Sequence, residues 1–418
     1  MSFAYVGGVY FAEGVSLEVV AQRFGTPCYV YSRTAIEAAY REFAQALASA
    51  DRGRPSLICY SVKANSNLAV LALLARLGAG FDIVSGGELA RVRAAGGDLR
   101  KVVFSGVGKT EAEIAQALEA RVLCLNLESE EELARTDAIA RHLGVRAPVA
   151  FRVKPDVDAK THPYISTGLK QDKFGVAYAD AERLYREAAA RPNIELVGVG
   201  CHIGSQLTDP APLADAARRV VALAERLERS GIALRHIDLG GGIGIRYQDE
   251  SPPAIGRVVA TLLGALGARR ETVIVDPGRS IVGNAGVLLT RVEYVKHGEA
   301  KNFVVVDAAM NDLLRPVLYQ AWHEVVAVRP PGETEEVYDV VGPICESADF
   351  LAKDRKLSVV SGGLLAIRSA GAYGMAMSSN YNSRPRCAEV MVSGGRAEQV
   401  RRRERVEELY AQESIPAW

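Results

Sequence analysis

The sequence lacks the excess positive charge and the long apolar runs that are typical of proteins that bind nucleic acid or cross a membrane. Its 50 Lys and Arg residues balance its 50 Asp and Glu residues, so no excess of positive charge favours a polyanionic partner. No apolar run approaches the roughly 20 residues that cross a bilayer. Residues 1–20 contain no Lys or Arg to begin a signal peptide. We therefore expect a cytoplasmic protein that binds neither nucleic acid nor a membrane.

Cysteine and histidine are also scarce. The six cysteines and six histidines show no Cys-x-x-Cys pair and no spacing typical of metal ligands. We expect reduced thiols and no metal site. Cys345 stands apart from the other cysteines, because the segment 342–347 places it beside a carboxylate and a hydroxyl.

From residue 56 onwards, short β-rich runs alternate with stretches of helical spacing. This pattern predicts a parallel α/β architecture, and a count of eight favours a TIM-like (β/α)8 barrel over an open doubly wound sheet. The predicted strands are 57–62, 81–84, 102–104, 122–125, 149–153, 196–201, 236–239 and 273–275, and the helical stretches include 67–77, 111–118, 130–142, 179–190 and 211–229.

After residue 280 the pattern becomes mainly β. Strands are predicted at 287–295, 303–306, 337–341, 357–360, 364–368 and 388–392, with turns rich in Gly, Pro and Asn between them. We expect an N-terminal segment at 1–30, a barrel at 31–280 and a β sandwich or small β barrel at 281–418. Residues 5–11 of the N-terminal segment would add a strand to the β domain.

Polar and glycine residues fall where the predicted barrel strands end. In (β/α)8 barrels the chemistry lies at these carboxyl ends, and the loops after strands seven and eight often hold phosphate. The residues at these ends are Lys63, Asp82, Arg152, His202, the run Gly240, Gly241 and Gly242, and the run Asp276, Pro277, Gly278 and Arg279.

Each of these features has an ordinary structural alternative. Lys63 suits a Schiff base with a carbonyl, although a lysine after a strand is often only a surface residue. The glycine run is either a simple turn or, together with Gly278 and Arg279, a cup of backbone N–H groups for phosphate. His202 either forms a hydrogen bond in the barrel rim or stacks on an aromatic cofactor.

Three motifs of the β domain carry chemistry, and each could equally be an ordinary loop. Arg315 and Tyr319 lie close together in sequence, and a guanidinium suits a substrate carboxylate. Cys345 and Glu346 follow a predicted strand. Tyr373 lies between glycines.

Taken together, these motifs resemble those of the diaminopimelate decarboxylases, within the alanine-racemase-like fold group of pyridoxal-phosphate enzymes. The resemblance runs from residue 25 to residue 385. Its most specific segments are 60–65, 81–88, 162–175, 202–206, 240–244, 311–319, 342–350 and 370–381.

The resemblance implies that Lys63 carries pyridoxal 5'-phosphate and that His202 stacks on its ring. It also implies a homodimer with shared active sites, in which Cys345 of one subunit donates a proton in the site of the other. The cofactor-binding residues would further include Asp82, Ser205, Gly240, Gly241, Gly242, Asp276, Pro277, Gly278, Arg279 and Tyr373. The substrate-binding residues would be Arg279, Arg315, Tyr319, Glu346 and Tyr373.

The implied reaction is removal of CO2 from the D centre of meso-diaminopimelate to give L-lysine, the last step of lysine biosynthesis. One residue departs from the family pattern. The family usually has Glu at the position of Asp276, where a carboxylate pairs with the pyridine nitrogen and makes the ring an electron sink. The aspartate keeps the carboxylate on a shorter side chain.

Three other functions fit part of the sequence. A decarboxylase of the same fold would act on ornithine, arginine or carboxynorspermidine, but Arg315 would repel a substrate whose far end is only a cation. A non-catalytic cofactor-carrying protein needs no second domain. A racemase needs two acid/base groups on opposite faces of its substrate.

Overall fold

The computed structural model describes residues 2–50, 53–157 and 172–418. The chain divides into two units, each with its own packed interior. One unit, the barrel unit, comprises Ala39–Ile245 and Ser251–Ser280; the other, the β unit, comprises Met1–Ala38, Arg246–Glu250 and Ile281–Trp418. Most of the predicted motif at 162–175 lies outside the described residues.

The barrel unit contains the eight predicted parallel strands, each with bounds within a few residues of the prediction. Every strand pairs with its two neighbours and the sheet closes on itself, which confirms the barrel. In chain order the barrel strands are Ser56–Ser61, Gly80–Ile83, Val102–Phe104, Cys124–Leu127, Ala147–Lys154, Ile194–Gly200, His236–Asp238 and Thr272–Val275. A further short strand, Val176–Ala177, pairs with the fifth barrel strand inside the long predicted loop.

The predicted helices are present, and three of them, Leu68–Arg76, Glu111–Glu119 and Glu130–Leu143, begin at a side-chain cap. Ser129 accepts a hydrogen bond from the amide of Glu132, and Thr110 and Glu113 form a reciprocal capping box. Gly86–Ala94 and Ile255–Leu266 were not among the helical stretches named from the sequence, and two initial glycines hide the start of Gly86–Ala94. Among the described residues from 33 to 282, the helices of four residues or more are Arg33–Ala50, Leu68–Arg76, Gly86–Ala94, Glu111–Glu119, Glu130–Leu143, Tyr178–Ala189, Ala211–Arg229, Ile255–Leu266 and the single turn Arg279–Val282.

The β unit is built on a nine-stranded sheet. Cys28–Ser32 runs through its middle, antiparallel to Gly286–Lys296 and parallel to Ala388–Ser393, so the N-terminal residues contribute a strand. The strands of this sheet are Cys28–Ser32, Gly286–Lys296, Asn302–Val306, Val325–Ala327, Glu336–Val341, Phe350–Leu357, Leu364–Ile367, Ala388–Ser393 and Arg396–Arg401. The described residues of this unit also form three helices of at least four residues that lie wholly within it: Leu17–Phe24, Arg315–Tyr319 and Val406–Leu409.

Two strand predictions in this unit were wrong. The strand predicted at 357–360 instead covers Phe350–Leu357, because four consecutive charged residues, 353–356, interrupt the alternation of apolar and polar residues. Residues 5–11 do not form one strand of the large sheet. Gly7 and Gly8 both adopt positive φ, 56° and 78°, which makes a tight hairpin turn, and Phe3–Val6, Val9–Ala12 and Val15–Ser16 form a separate small sheet.

No helix among the described residues is both long and apolar enough to cross a bilayer.

Gly198 and His236 form a close contact between the sixth and seventh barrel strands. The two residues are register partners, and a Cβ on Gly198 would overlap the buried His236 ring. We expect Gly198→Ala to lower the free energy of unfolding by about 1–3 kcal/mol, because the packed interior cannot move aside. Urea denaturation measures the change.

Two further variants control this prediction. When Gly198→Ala is combined with His236→Ala, the added methyl group has room. The loss in the free energy of unfolding of the double variant should therefore be smaller than the sum of the losses of the two single variants. Gly200→Ala lies in the same strand, and its nearest contact would be an ordinary 3.4 Å. Additive losses, or an equal loss from Gly200→Ala, would contradict the overlap.

Candidate active site

Lys63 lies in the single helical turn Val62–Ala64 that follows the first barrel strand. Its Nζ is 2.9 Å from Oδ2 of Asp82, which lies on the second barrel strand. Ser61 donates a hydrogen bond of 3.1 Å to the same carboxylate oxygen. Burial by itself raises the pKa of Asp82, but Lys63 and a hydrogen bond from Ser105 outweigh it and hold that pKa below its ordinary value. The structure therefore brings a lysine ammonium and an ionised carboxylate together at the barrel mouth.

His202 and Asp276 lie next to each other after the sixth and eighth strands. Nδ1 of His202 is 3.6 Å from Oδ1 of Asp276, and it accepts a 3.5 Å hydrogen bond from the amide of Gly241. Burial, then Arg152 and Lys63, lower the pKa of His202 to about 3. The imidazole is therefore neutral at physiological pH.

Asp276 has the opposite shift. Burial and the charge of Asp82 raise its pKa to about 8, against the effect of Lys63 and Arg152. Its Oδ1 is buried and has no hydrogen-bond partner among the described residues. A buried carboxyl oxygen without a partner is costly in a folded protein, so this atom is suited to a ligand that brings a donor or a positive charge.

The glycine run forms a turn held by the loop that follows the sixth strand. Leu207 N donates to Gly242 O, and Gly244 N donates to Leu207 O, both at 2.8 Å. Gly240 and Gly242 have positive φ, 72° and 86°, and a Cβ on Gly240 would lie 2.6 Å from the carbonyl oxygen of Cys201. Only glycine fits these positions.

Ser205 and the loop after the eighth strand complete this cluster. Arg279 Nη2 donates to Ser205 Oγ at 3.1 Å. Gly278 packs against the first strand, since a Cβ there would lie 2.9 Å from the Cβ of Ser61. The carbonyl of Pro277 accepts a 3.1 Å hydrogen bond from the amide of Ser61. All the barrel residues predicted for the site thus lie at the carboxyl ends of the strands.

The prediction missed polar residues inside the barrel. Asp238 accepts a 2.9 Å hydrogen bond from the amide of Gly240 and also pairs with the side chain of Asn126. Asn126 Nδ2 donates to Ser105 Oγ at 3.2 Å, and Ser105 donates to Asp82. Burial and Asp276 raise the pKa of Asp238 well above its ordinary value. Because barrel strands are buried on both sides, no periodicity in the sequence marked these positions.

In the β unit, Cys345 and Glu346 are exposed residues of one loop. The amide of Cys345 donates to Asn382 Oδ1 at 3.1 Å, and Tyr381 donates to Glu346 Oε1 at 2.6 Å. Tyr373 is partly buried and has a positive φ of 57°, a strained conformation for a residue with a side chain.

Arg315 and Tyr319 are the first and last residues of a short helix, Arg315–Tyr319. Arg315 is buried, and its Nη1 lies 2.8 Å from Nε2 of His323. Its Cζ lies 4.5 Å from the ring centroid of Tyr247. The prediction missed both of these neighbours, because neither belongs to a motif in the sequence.

The residues of the barrel unit fit a flat aromatic cofactor that carries a phosphate. The turn at 240–242 has no side chains to block the approach of an anion to its amides. Asp276 offers an unpartnered carboxyl oxygen, and Lys63 offers an amine. Among the described residues, no group of three or more His, Cys, Asp and Glu side chains is placed to hold a metal.

Comparison with known proteins agrees with this arrangement. Residues 33–283 match the family model described as the pyridoxal binding domain of pyridoxal-dependent decarboxylases. The diaminopimelate decarboxylase of Pseudomonas fluorescens is 61% identical over 99% of both chains.

Solved structures agree as well. The structure of diaminopimelate decarboxylase from M. jannaschii with L-lysine has a TM-score of 0.95 and 37% identity, and the match covers 99% of this chain and 98% of that one. The Helicobacter pylori enzyme with L-lysine has a TM-score of 0.91 and 44% identity, with 95% and 99% of the two chains covered.

The raised pKa of Asp276 gives a testable dependence of stability on pH. The folded chain binds this proton more tightly than the unfolded chain does, so the stabilising contribution is complete below pH 3.8 and is lost as the pH rises through about 8. In the cofactor-free protein this one group lowers the free energy of unfolding by up to about 1.4 kcal/mol per pH unit within that window.

We expect Asp276→Asn to remove this component, because an amide does not ionise. Urea denaturation of the cofactor-free protein at a series of pH values measures it. Asp249→Asn, at an exposed position, is the control and should follow the wild type. An identical pH dependence in wild type and Asp276→Asn would show that Asp276 does not hold a proton in this window.

Proposed function

Because the chain belongs to the pyridoxal-dependent decarboxylases and, within them, to the diaminopimelate decarboxylases, we propose that it converts meso-2,6-diaminopimelate to L-lysine and CO2 with pyridoxal 5'-phosphate. The observation that carries this proposal is the group of barrel-mouth residues: Lys63 beside Asp82, with Asp276 and a glycine turn on neighbouring loops. The enzyme is a carboxy-lyase that acts on an amino acid.

The barrel residues divide the binding of the cofactor among them. Lys63 would hold the aldehyde carbon. Ser205, the glycine turn at Gly240, Gly241 and Gly242, and the backbone around Gly278 and Arg279 would bind the phosphate. His202, which is neutral, would lie flat against the ring without adding charge. Asp276 would pair with the ring nitrogen, whose positive charge favours the ionised carboxylate that burial disfavours. Asp82 and Pro277 would hold Lys63 and its strand in place.

When bound, pyridoxal phosphate supplies an electron sink for the electron pair that loss of CO2 leaves on the substrate. The chain must then deliver one proton to the α-carbon. We assign this proton to the Cys345 thiol. Arg279, Arg315 and Tyr319 would bind substrate carboxylate, Glu346 would contact the ammonium at the far end, and Tyr373 would contact both cofactor and substrate.

The exposed position of Cys345 and Glu346 supports a shared active site. A proton donor in a closed, water-excluding site would normally be buried, whereas both side chains are exposed in the single chain. A second subunit would cover them. We therefore propose a homodimer in which each subunit contributes Cys345 and Glu346 to the site of the other.

We also propose a cytoplasmic location. All six cysteines are unpaired, and five of them are buried. Unpaired thiols are typical of proteins in reducing compartments.

A substrate comparison tests the proposed function. We expect CO2 release from meso-diaminopimelate with a kcat/KM at least about a hundredfold above that for ornithine, arginine or carboxynorspermidine, because these lack the second carboxylate that a buried guanidinium would pair with. Lys63→Ala is the control and should neither turn over substrate nor show a visible band with pyridoxal phosphate. Preference for ornithine, or a wild type that stays colourless, would refute the proposal.

Subunit mixing tests the shared site. Cys345→Ala alone should keep the bound cofactor and lose most turnover. When Lys63→Ala and Cys345→Ala subunits reassociate at random, each mixed dimer should regain one intact site, so activity should return to up to about a quarter of the wild-type level. Mixing either variant with itself is the control. Verified mixed dimers without activity would place both residues in the same subunit's site.

A further inference from the structure

Two aromatic side chains contact the guanidinium of Arg315. Within the β unit, its guanidinium contacts both the imidazole of His323 and the ring of Tyr247. These two rings also contact each other edge to face, with centroids 5.3 Å apart and planes at 78°. His323 is fully buried and Tyr247 nearly so. The three side chains therefore form one packed group.

The hydrogen bonds of His323 fix its tautomer. Its Nδ1 lies 2.8 Å from the carbonyl oxygen of Arg368, and a carbonyl only accepts, so Nδ1 carries the proton. Arg315 has N–H donors and no acceptor, so Nε2 must accept from Arg315 Nη1. His323 is therefore neutral and is oriented by the backbone at residue 368.

Tyr247 adds a second restraint on the same guanidinium. An arginine over an aromatic face is attracted by the negative face of the ring, and 4.5 Å to the centroid is within the effective range. Neither the imidazole nor the phenol ring brings a negative charge. Both contacts thus orient the cation and leave its charge intact.

We propose that His323 and Tyr247 are positioning residues that fix the direction of the Arg315 guanidinium for a substrate carboxylate. This inference rests on the proposed function, which assigns Arg315 to the substrate. An arginine side chain loses considerable rotamer entropy when it is fixed. Because the two rings fix it in advance, less of that cost falls on substrate binding.

Kinetics of His323 variants of the full-length holoenzyme test the inference. We expect His323→Leu to raise the KM for meso-diaminopimelate about tenfold to a hundredfold, because a hydrogen bond to a charged group is lost. The kcat and the visible spectrum of the bound cofactor should not change, because Arg315 would contribute to binding and not to the reaction itself. His323→Gln places an acceptor near the position of Nε2 and should restore most of the KM.

His297→Leu is the matched control. It removes another histidine of the β unit that also contacts a tyrosine ring, Tyr338, but lies on the surface, and its KM should equal that of the wild type. An unchanged KM in folded His323→Leu, or an equal rise in His297→Leu, would overturn the inference. So would a failure of His323→Gln to lower the KM below that of His323→Leu.

Tyr247 provides a second test that does not depend on His323→Leu folding. Tyr247→Phe keeps the ring face and should keep the wild-type KM, whereas Tyr247→Leu removes the face and should raise the KM several-fold. Equal KM values for these two variants would overturn the inference. A wild-type enzyme that does not decarboxylate meso-diaminopimelate would refute the proposed function and this inference with it. If the wild type is active but His323→Leu and Tyr247→Leu keep its KM, the inference is refuted and the proposed function stands.

Discussion

The ion pair between Lys63 and Asp82 sets the charge balance on which the barrel site depends. Closing eight parallel strands brings the side chains at their carboxyl ends together, and here three buried aspartates, Asp82, Asp238 and Asp276, are close enough to act on one another's pKa. Lys63 and Arg152, the cations that act on Asp276, do not offset its burial and the charge of Asp82. Lys63 keeps Asp82 ionised, while burial favours the protonated forms of Asp238 and Asp276. A cationic ring nitrogen placed beside Asp276, as proposed, would favour the ionised carboxylate.

Close packing and hydrogen bonds hold the backbone around the glycine turn in place. A side chain at Gly240, Gly241 or Gly242 would meet a carbonyl oxygen of a neighbouring loop. The side chain of Gln206 accepts from the amide of Ile245 and donates to its carbonyl. The backbone of the turn is therefore ordered by its own contacts, and an anion bound there would pay little to order the loop.

The sequence predicted the barrel well because its strands and helices differ in period and because polar residues collect at the strand ends. The prediction of strands failed where the alternation of apolar and polar residues was interrupted or where glycines turned the chain. The charged strand Phe350–Leu357 reads as a surface segment, and two glycines turn the predicted strand at 5–11 into a hairpin. Asn126 and Asp238 sit within buried strands, where their side chains pair with each other and Asn126 donates to Ser105, contacts between residues far apart in sequence. Such residues can be recognised as part of the site only when the pairing register of the barrel strands is known.

The guanidinium of Arg315 is oriented by residues of the β unit. The helix Arg315–Tyr319 ends at Gln320 in a left-handed conformation, φ 52°, whose amide donates to the Arg315 carbonyl. This turn brings His323 back to the guanidinium from only eight residues along the chain. The orientation of the cation is thus encoded in one short segment and Tyr247, apart from the barrel residues assigned to the cofactor.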